Sequence, residues 1–151
     1  MTQEEKDLLL KDLCSRLPYL VKVSTTDNDG SLENVWDIHL YNTFTEDVKL
    51  IHSIEDADKI VDISEIKPYL FPLSSMTEEQ KEEFLSVAGY ERREEDCGRH
   101  TEIYYYDMVG HELNFYPNSD TIDWLNAHHF DYRHLIEKGL AIEAPEGMYN
   151  F

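Results

Sequence analysis

The sequence predicts an α+β fold: a single compact domain over residues 1–151, with an antiparallel sheet of about four to six strands and three or four helices. Three observations predict it. A 3.6-residue apolar period starts directly behind a capping signal at Thr2. Period-2 alternation flanks the turn Asp27-Asn28-Asp29-Gly30, and nearly all of the six glycines stand at expected turns or helix ends.

Thr2, with Glu5 three residues later, forms a capping box, and Leu9, Leu10, Leu13, Cys14 and Leu17 recur at helical spacing. This predicts a helix over 3–16 that stops before Pro18. Tyr19, Val21 and Val23 alternate as a strand, and Val35 to Phe44 alternates again. The second run puts Trp36, Ile38 and Leu40 on one face and Asp37, His39 and Tyr41 on the other, so the two runs are expected to pair as a hairpin. Residues 48–54 supply a third strand. Ser64 to Lys67 is expected to open a short helical turn, and Pro68 and Pro72 frame the apolar Tyr69-Leu70-Phe71.

Thr77 and Gln80 make a second capping box, for a helix that buries Phe84 and Val87 or Ala88 and stops at Gly89. The highly charged residues 90–99 read as a solvated connection. Glu102 to Met108, which holds Tyr104-Tyr105-Tyr106, and Glu112 to Tyr116 read as a second hairpin around Gly110. Asp120 and Asp123 predict the start of a further helix with Ile122, Trp124 and Leu125 on its apolar side. Asp131 is expected to cap a short helix over 132–138 that Gly139 ends, with Phe130 and Leu135 as a hydrophobic staple. Leu140-Ala141-Ile142 reads as a short strand or extended tail.

The chain carries 32 acidic and 13 basic side chains, a formal net charge of −19. Its 41% hydrophobic and 12% aromatic content excludes a disordered acidic tail. A surface of that sign is repelled by phosphate backbones and anionic membranes, so neither direct nucleic-acid binding nor membrane docking is expected. The acidic Met1-Thr2-Gln3-Glu4-Glu5-Lys6 has neither the basic start nor the apolar run of a secretory signal. No apolar run approaches the ~18 residues of a membrane span. A cytoplasmic location follows as the expectation. Cys14 and Cys97 lack CxxC spacing and are expected to be free thiols, with Cys14 buried on the first helix.

Long blocks of the chain resemble a known family. They are Asp123-Trp124-Leu125-Asn126-Ala127-His128-His129-Phe130-Asp131-Tyr132-Arg133, then Leu135 to Ala141, Glu143 to Tyr149, Lys11 to Tyr19, Lys67 to Leu70 and Pro72 to Glu79. This pattern resembles an uncharacterised family of small acidic proteins of gut Bacteroides-type bacteria and of their phages or mobile elements. The resemblance implies one coherent domain and a bacterial setting. It implies no activity.

His128-His129-Phe130-Asp131-Tyr132-Arg133-His134 is the densest polar cluster, and imidazoles with a carboxylate suit zinc or iron. A metal-dependent enzyme would draw on His128, His129 and Asp131, with His111 converging from elsewhere. Adjacent helical residues project about 100° apart, and HExxH spacing is absent, so no metal or other cofactor is expected. Ser74-Ser75 lacks a nucleophile elbow, and neither GxxxxGK[ST] nor GxGxxG occurs. Tyrosines are frequent at interfaces, and Tyr104, Tyr106 and Tyr116 form the candidate interaction surface. The acidic excess admits a further reading, a nucleic-acid mimic that occupies a basic DNA-binding protein. The expected function is a non-catalytic binding protein with a protein partner.

Overall fold

The computed structural model describes residues 1–25, 35–42, 47–51, 58–107 and 118–149. In chain order the elements are α1 (Gln3–Arg16), β1 (Lys22–Thr25), β2 (Val35–Asn42), β3 (Asp47–Ile51), β4 (Asp58–Asp62) and β5 (Ile66–Pro72). There follow α2 (Glu78–Val87), β6 (Tyr90–Asp96), β7 (Thr101–Asp107), α3 (Ser119–Ala127), β8 (Phe130–Asp131) and β9 (Ile142–Glu143). The fold is α+β, and no helix among the described residues is long and apolar enough to cross a membrane. The chain divides into two compact units, one formed by Met1–Leu73 with Asn126–Phe151 and the other by Ser74–Leu125.

In the first unit, Thr2 Oγ1 accepts from the Glu5 N–H at 3.2 Å and the Glu5 carboxylate accepts from the Thr2 N–H at 2.7 Å. This is the predicted box, and it satisfies two donors that a helix start leaves open. The helix buries Leu9, Asp12, Leu13 and Arg16. Cys14 is exposed, contrary to expectation, because it projects about 100° beyond Leu13 and off that face.

The sheet runs β4-β3-β2-β1-β5-β8, with β9 also on β5. The predicted hairpin forms, with Val23 opposite Trp36 and Lys22 opposite Asp37. A bulge between Ile38 and Leu40 shifts the register against β3, so simple alternation along β2 stops at Ile38. Neighbours from β4 through β5 are antiparallel, whereas β8 and β9 run parallel to β5, making the sheet mixed. Two-residue strands are too short to show any alternation, which is why the sequence hides them. The turn expected at 64–67 is a 3-10 turn, Ile63–Glu65, boxed by Asp62 and Glu65. Beyond it Pro68 stands within β5 opposite Val23, so this proline does not break the strand.

Leu9 and Leu13 pack with Val21, Val23, Ile38, Ile66 and Leu70 on one side of the sheet. Tyr69, one residue from Leu70 and so on the opposite face, clusters with Ala144, Tyr149, Val35 and Phe71. The end of β5 is held from both edges. The Phe71 N–H donates to His129 O at 2.9 Å, and Leu70 O accepts from the Ala144 N–H at 2.8 Å. These two groups belong to one peptide and point in opposite directions, so His129 and Ala144 flank it.

In the second unit, Thr77 and Gln80 form the predicted box on α2, at 3.2 and 2.9 Å. Gly89, at φ 83°, takes the left-handed conformation that ends the helix and turns the chain into β6. Phe84 packs on Trp124 with ring centroids 5.3 Å apart. Residues 90–96 are strand rather than connection, paired with β7 from Tyr90 opposite Asp107 to Asp96 opposite Thr101. The expected hairpin partner of 102–108, residues 112–116 with Gly110, lies outside the described residues. A buried face would have announced β6 by alternation, but every residue from Glu91 to Asp96 is exposed.

The third helix starts two residues earlier than predicted. Asn118 Oδ1 accepts from the Thr121 N–H, and Thr121 Oγ1 accepts from the Asn118 N–H, each at 2.9 Å.

Candidate functional site

Asp12 and Arg16 lie one helical turn apart on the buried face of α1, and both side chains are 0% exposed. Arg16 Nε donates to Asp12 Oδ2 at 2.7 Å, and its Nη2 donates to Asp12 Oδ1 at 3.0 Å and to Phe130 O at 2.8 Å. Arg133 brings a second guanidinium, its Nε 3.3 Å from Asp12 Oδ1. The Tyr132 ring lies between them, 5.5 Å from the Arg16 guanidinium carbon and 4.8 Å from that of Arg133. Its hydroxyl accepts from Arg133 Nη2 at 2.9 Å and donates to Asn126 Oδ1 at 3.0 Å. One carboxylate thus neutralises parts of two cations, and cation–π contacts spread the rest. Both Asp12 oxygens are engaged by guanidinium, so the cluster fastens α1 to residues 126–133 rather than offering a free base. The sequence signal was present: a polar i, i+4 pair inside the Leu9–Leu13 stripe.

The histidine segment adjoins this cluster. His129 takes φ 58° just past α3 and is 3% exposed. Its ring stacks on Tyr149 at 3.7 Å and 17° between planes. The Tyr149 hydroxyl donates to Tyr69 O at 2.8 Å and accepts from the Lys22 N–H at 2.9 Å, and burial pushes its pKa up. Burial first, then the charge of Arg16, holds the His129 imidazole down to about 3. It is therefore neutral across the physiological range.

Asp131 is buried, and both its oxygens accept from backbone: Oδ1 from Arg133 and Leu135 N–H at 3.3 and 2.9 Å, Oδ2 from Ile136 N–H at 2.8 Å. The helix it was expected to cap does not form: residues 132–138 run through bends and turns, and Asp131 holds the backbone of those turns instead. His134, at φ 59°, interrupts helical geometry there. Asp131→Ala should cost about 1–3 kcal/mol in urea unfolding, because three backbone donors lose their acceptor. An unchanged midpoint would refute that role.

His128 is half-buried, His134 is exposed with Nδ1 3.5 Å from Glu137, and His111 lies outside the described residues. Among the described residues no three His, Cys, Asp or Glu side chains are placed to hold a metal ion.

Of the candidate interaction residues, Tyr104 and Tyr106 fall in the second unit. Tyr104 is in register opposite Arg93 and Tyr106 opposite Glu91, while Tyr116 lies outside the described residues. Where β6 leaves α2, a cavity of about 340 Å³ is lined by Glu82, Leu85, Ser86, Tyr90, Glu91 and Arg92. Arg92, on its wall, lies 3.4 Å from Glu82 and 2.7 Å from Glu94. Glu78, Glu79, Glu82 and Glu83 on α2 are exposed, as are Glu91, Glu94, Glu95 and Asp96 on β6.

No family model matches the chain, and no curated protein or solved structure matches it either.

Proposed function

We propose that this is a non-catalytic cytoplasmic binding protein whose partner, another protein, seats on the β6–β7 ribbon around Tyr104 and Tyr106, with Tyr116 contributing. The observation that carries the reading is the exposure of β6 at every position from Glu91 to Asp96. Among the described residues the ribbon has two strands only. A two-stranded ribbon gains little from burial in water, and three consecutive tyrosines give it rigid, amphipathic side chains suited to a contact. The polar clusters of the first unit favour a non-catalytic role. Asp12 and Asp131 spend their oxygens on internal bonds, and His129 is stacked and neutral. The test is cross-linked capture from a bacterial host with the wild type and with Tyr104→Ser/Tyr106→Ser. A defined protein should be captured by the wild type and lost by the folded variant; identical capture would sink the proposal.

A second reading draws on the eight exposed carboxylates of α2 and β6. In it they imitate phosphates and occupy a basic DNA-binding protein. Such binding would weaken steeply with salt, and no association with basic DNA-binding proteins at low salt would remove it.

A further inference from the structure

We propose that β6 also pairs with β6 of a second copy of this chain, antiparallel about a two-fold axis at Glu94, joining two ribbons into one four-stranded sheet. The inference rests on the ribbon being a contact surface, but it names a different element from the tyrosines of β7 and a definite occupant. Among the described residues β6 pairs with β7 alone, and its side chains are exposed from Glu91 to Asp96.

The charge order selects the occupant. In an antiparallel pair, opposite residues share a face, so a two-fold pairing must centre on a residue. Centred on Glu94, it sets Arg92 against the second copy's Asp96 and Arg93 against its Glu95. Counting both copies, that is four attractive contacts against one Glu94–Glu94 contact. Arg92, already 2.7 Å from Glu94 in its own strand, offsets that single repulsion. The neighbouring centres do worse. Arg93 would face itself while Glu91 met Glu95, Arg92 would face itself, or Glu94 would meet Asp96. Edge strands that resist pairing use charge for the purpose. In β6 both signs occur, in an order complementary to itself.

The test is sedimentation equilibrium at physiological salt, which screens the long-range repulsion between two copies of net charge −19. The wild type should show a concentration-dependent mass rising from 17.8 kDa toward twice that value. Arg93→Glu and Glu95→Arg should each associate at least about tenfold more weakly, since each converts two attractive contacts to repulsive ones. Their equimolar mixture should recover association, because every such contact is again of opposite sign. As a second measurement, Glu94→Cys in a Cys14→Ser/Cys97→Ser background should oxidise to a covalent dimer, opposite residues being about 4.5–5.5 Å apart at Cβ. A wild type that stays monomeric at every concentration, with Glu94→Cys uncrosslinked, overturns the inference. So does a mixture no stronger than its components. Tyr104→Ser/Tyr106→Ser should still dimerise. If instead the wild type is monomeric yet loses a captured protein with the tyrosines, self-pairing alone fails.

Discussion

Asp12→Ala should lower the unfolding free energy by about 3–5 kcal/mol, read as a lower urea midpoint. The loss exceeds that of the salt bridge itself, because Arg16 stays 0% exposed while the carboxylate that accepts from its Nε and Nη2 disappears. Arg133 loses the same partner. Phe130 O, which accepts from Arg16, offers that cation a carbonyl dipole in place of a full negative charge. With total stability of about 5–15 kcal/mol typical of a domain, the variant would be close to unfolding at growth temperature. Replacing Asp12 and Arg16 together by Leu should recover most of the loss, since two apolar side chains suit a site lined by Leu9 and Leu13. A single variant within about 1 kcal/mol of wild type would show that the pair is solvated in solution and would refute the buried network.

The protein should also lose stability as pH falls from about 6.5 toward 3, with His129 the main source among the described residues at the start of that range. The unfolded imidazole takes a proton near 6.5, whereas the folded one resists until about 3. Within that window the unfolded state binds more protons, so stability falls on acidification, by up to about 1.4 kcal/mol per pH unit and roughly 2–3 kcal/mol by pH 4.5. Above 6.5 the contribution is fully present. Protonation would place a cation at a site that Arg16 and Lys22 already make positive. The carboxylates act lower down. Glu5, lowered by the Thr2 N–H, and Asp62, lowered by Ser64, lose their contributions only as pH drops below the ordinary carboxylate range. His129→Phe keeps a ring against Tyr149 and removes the titration. Between pH 5 and 6.5 its stability should therefore depend on pH less steeply than wild type, by about half a proton at pH 6.5 and nearly one at pH 5. Parallel slopes would dismiss His129 as the cause.

The legible parts of this fold share one property: their signals are local. Thr2 with Glu5, and Thr77 with Gln80, are side chain and backbone partners three residues apart, and both boxes form. The β1–β2 pairing follows from two alternating runs around a turn. What stayed hidden depends on distant neighbours. Asp12 and Arg16 read as polar interruptions of an apolar stripe, and the groups that help make their burial tolerable, Phe130, Tyr132 and Arg133, stand more than a hundred residues away. Glu91 to Asp96 read as loop because a strand without a buried face has no hydrophobic period; its ladder to Thr101–Asp107 supplies the order. Of the candidate site residues, Asp131 was legible as an acceptor for the backbone that follows it, but the turns that replace the expected helix were not. His129 was legible as a member of the densest polar cluster, but its stacking partner Tyr149 was not, since nothing near Tyr149 in sequence hints at a histidine.

The grip on β5 from both edges bears on how the molecule comes into being. A ribosome delivers residue 71 long before it delivers residues 129 and 144. Until then the Leu70–Phe71 peptide has neither of the partners it will finally use, although Val23 and Lys67 can already be in register with their own neighbours. The nascent chain can thus lay down the antiparallel rows in the order they are made, but the last rung waits. Closure of the sheet is a late, long-range event, timed by the arrival of His129 and Ala144, and loop-closure entropy makes such contacts slow to form.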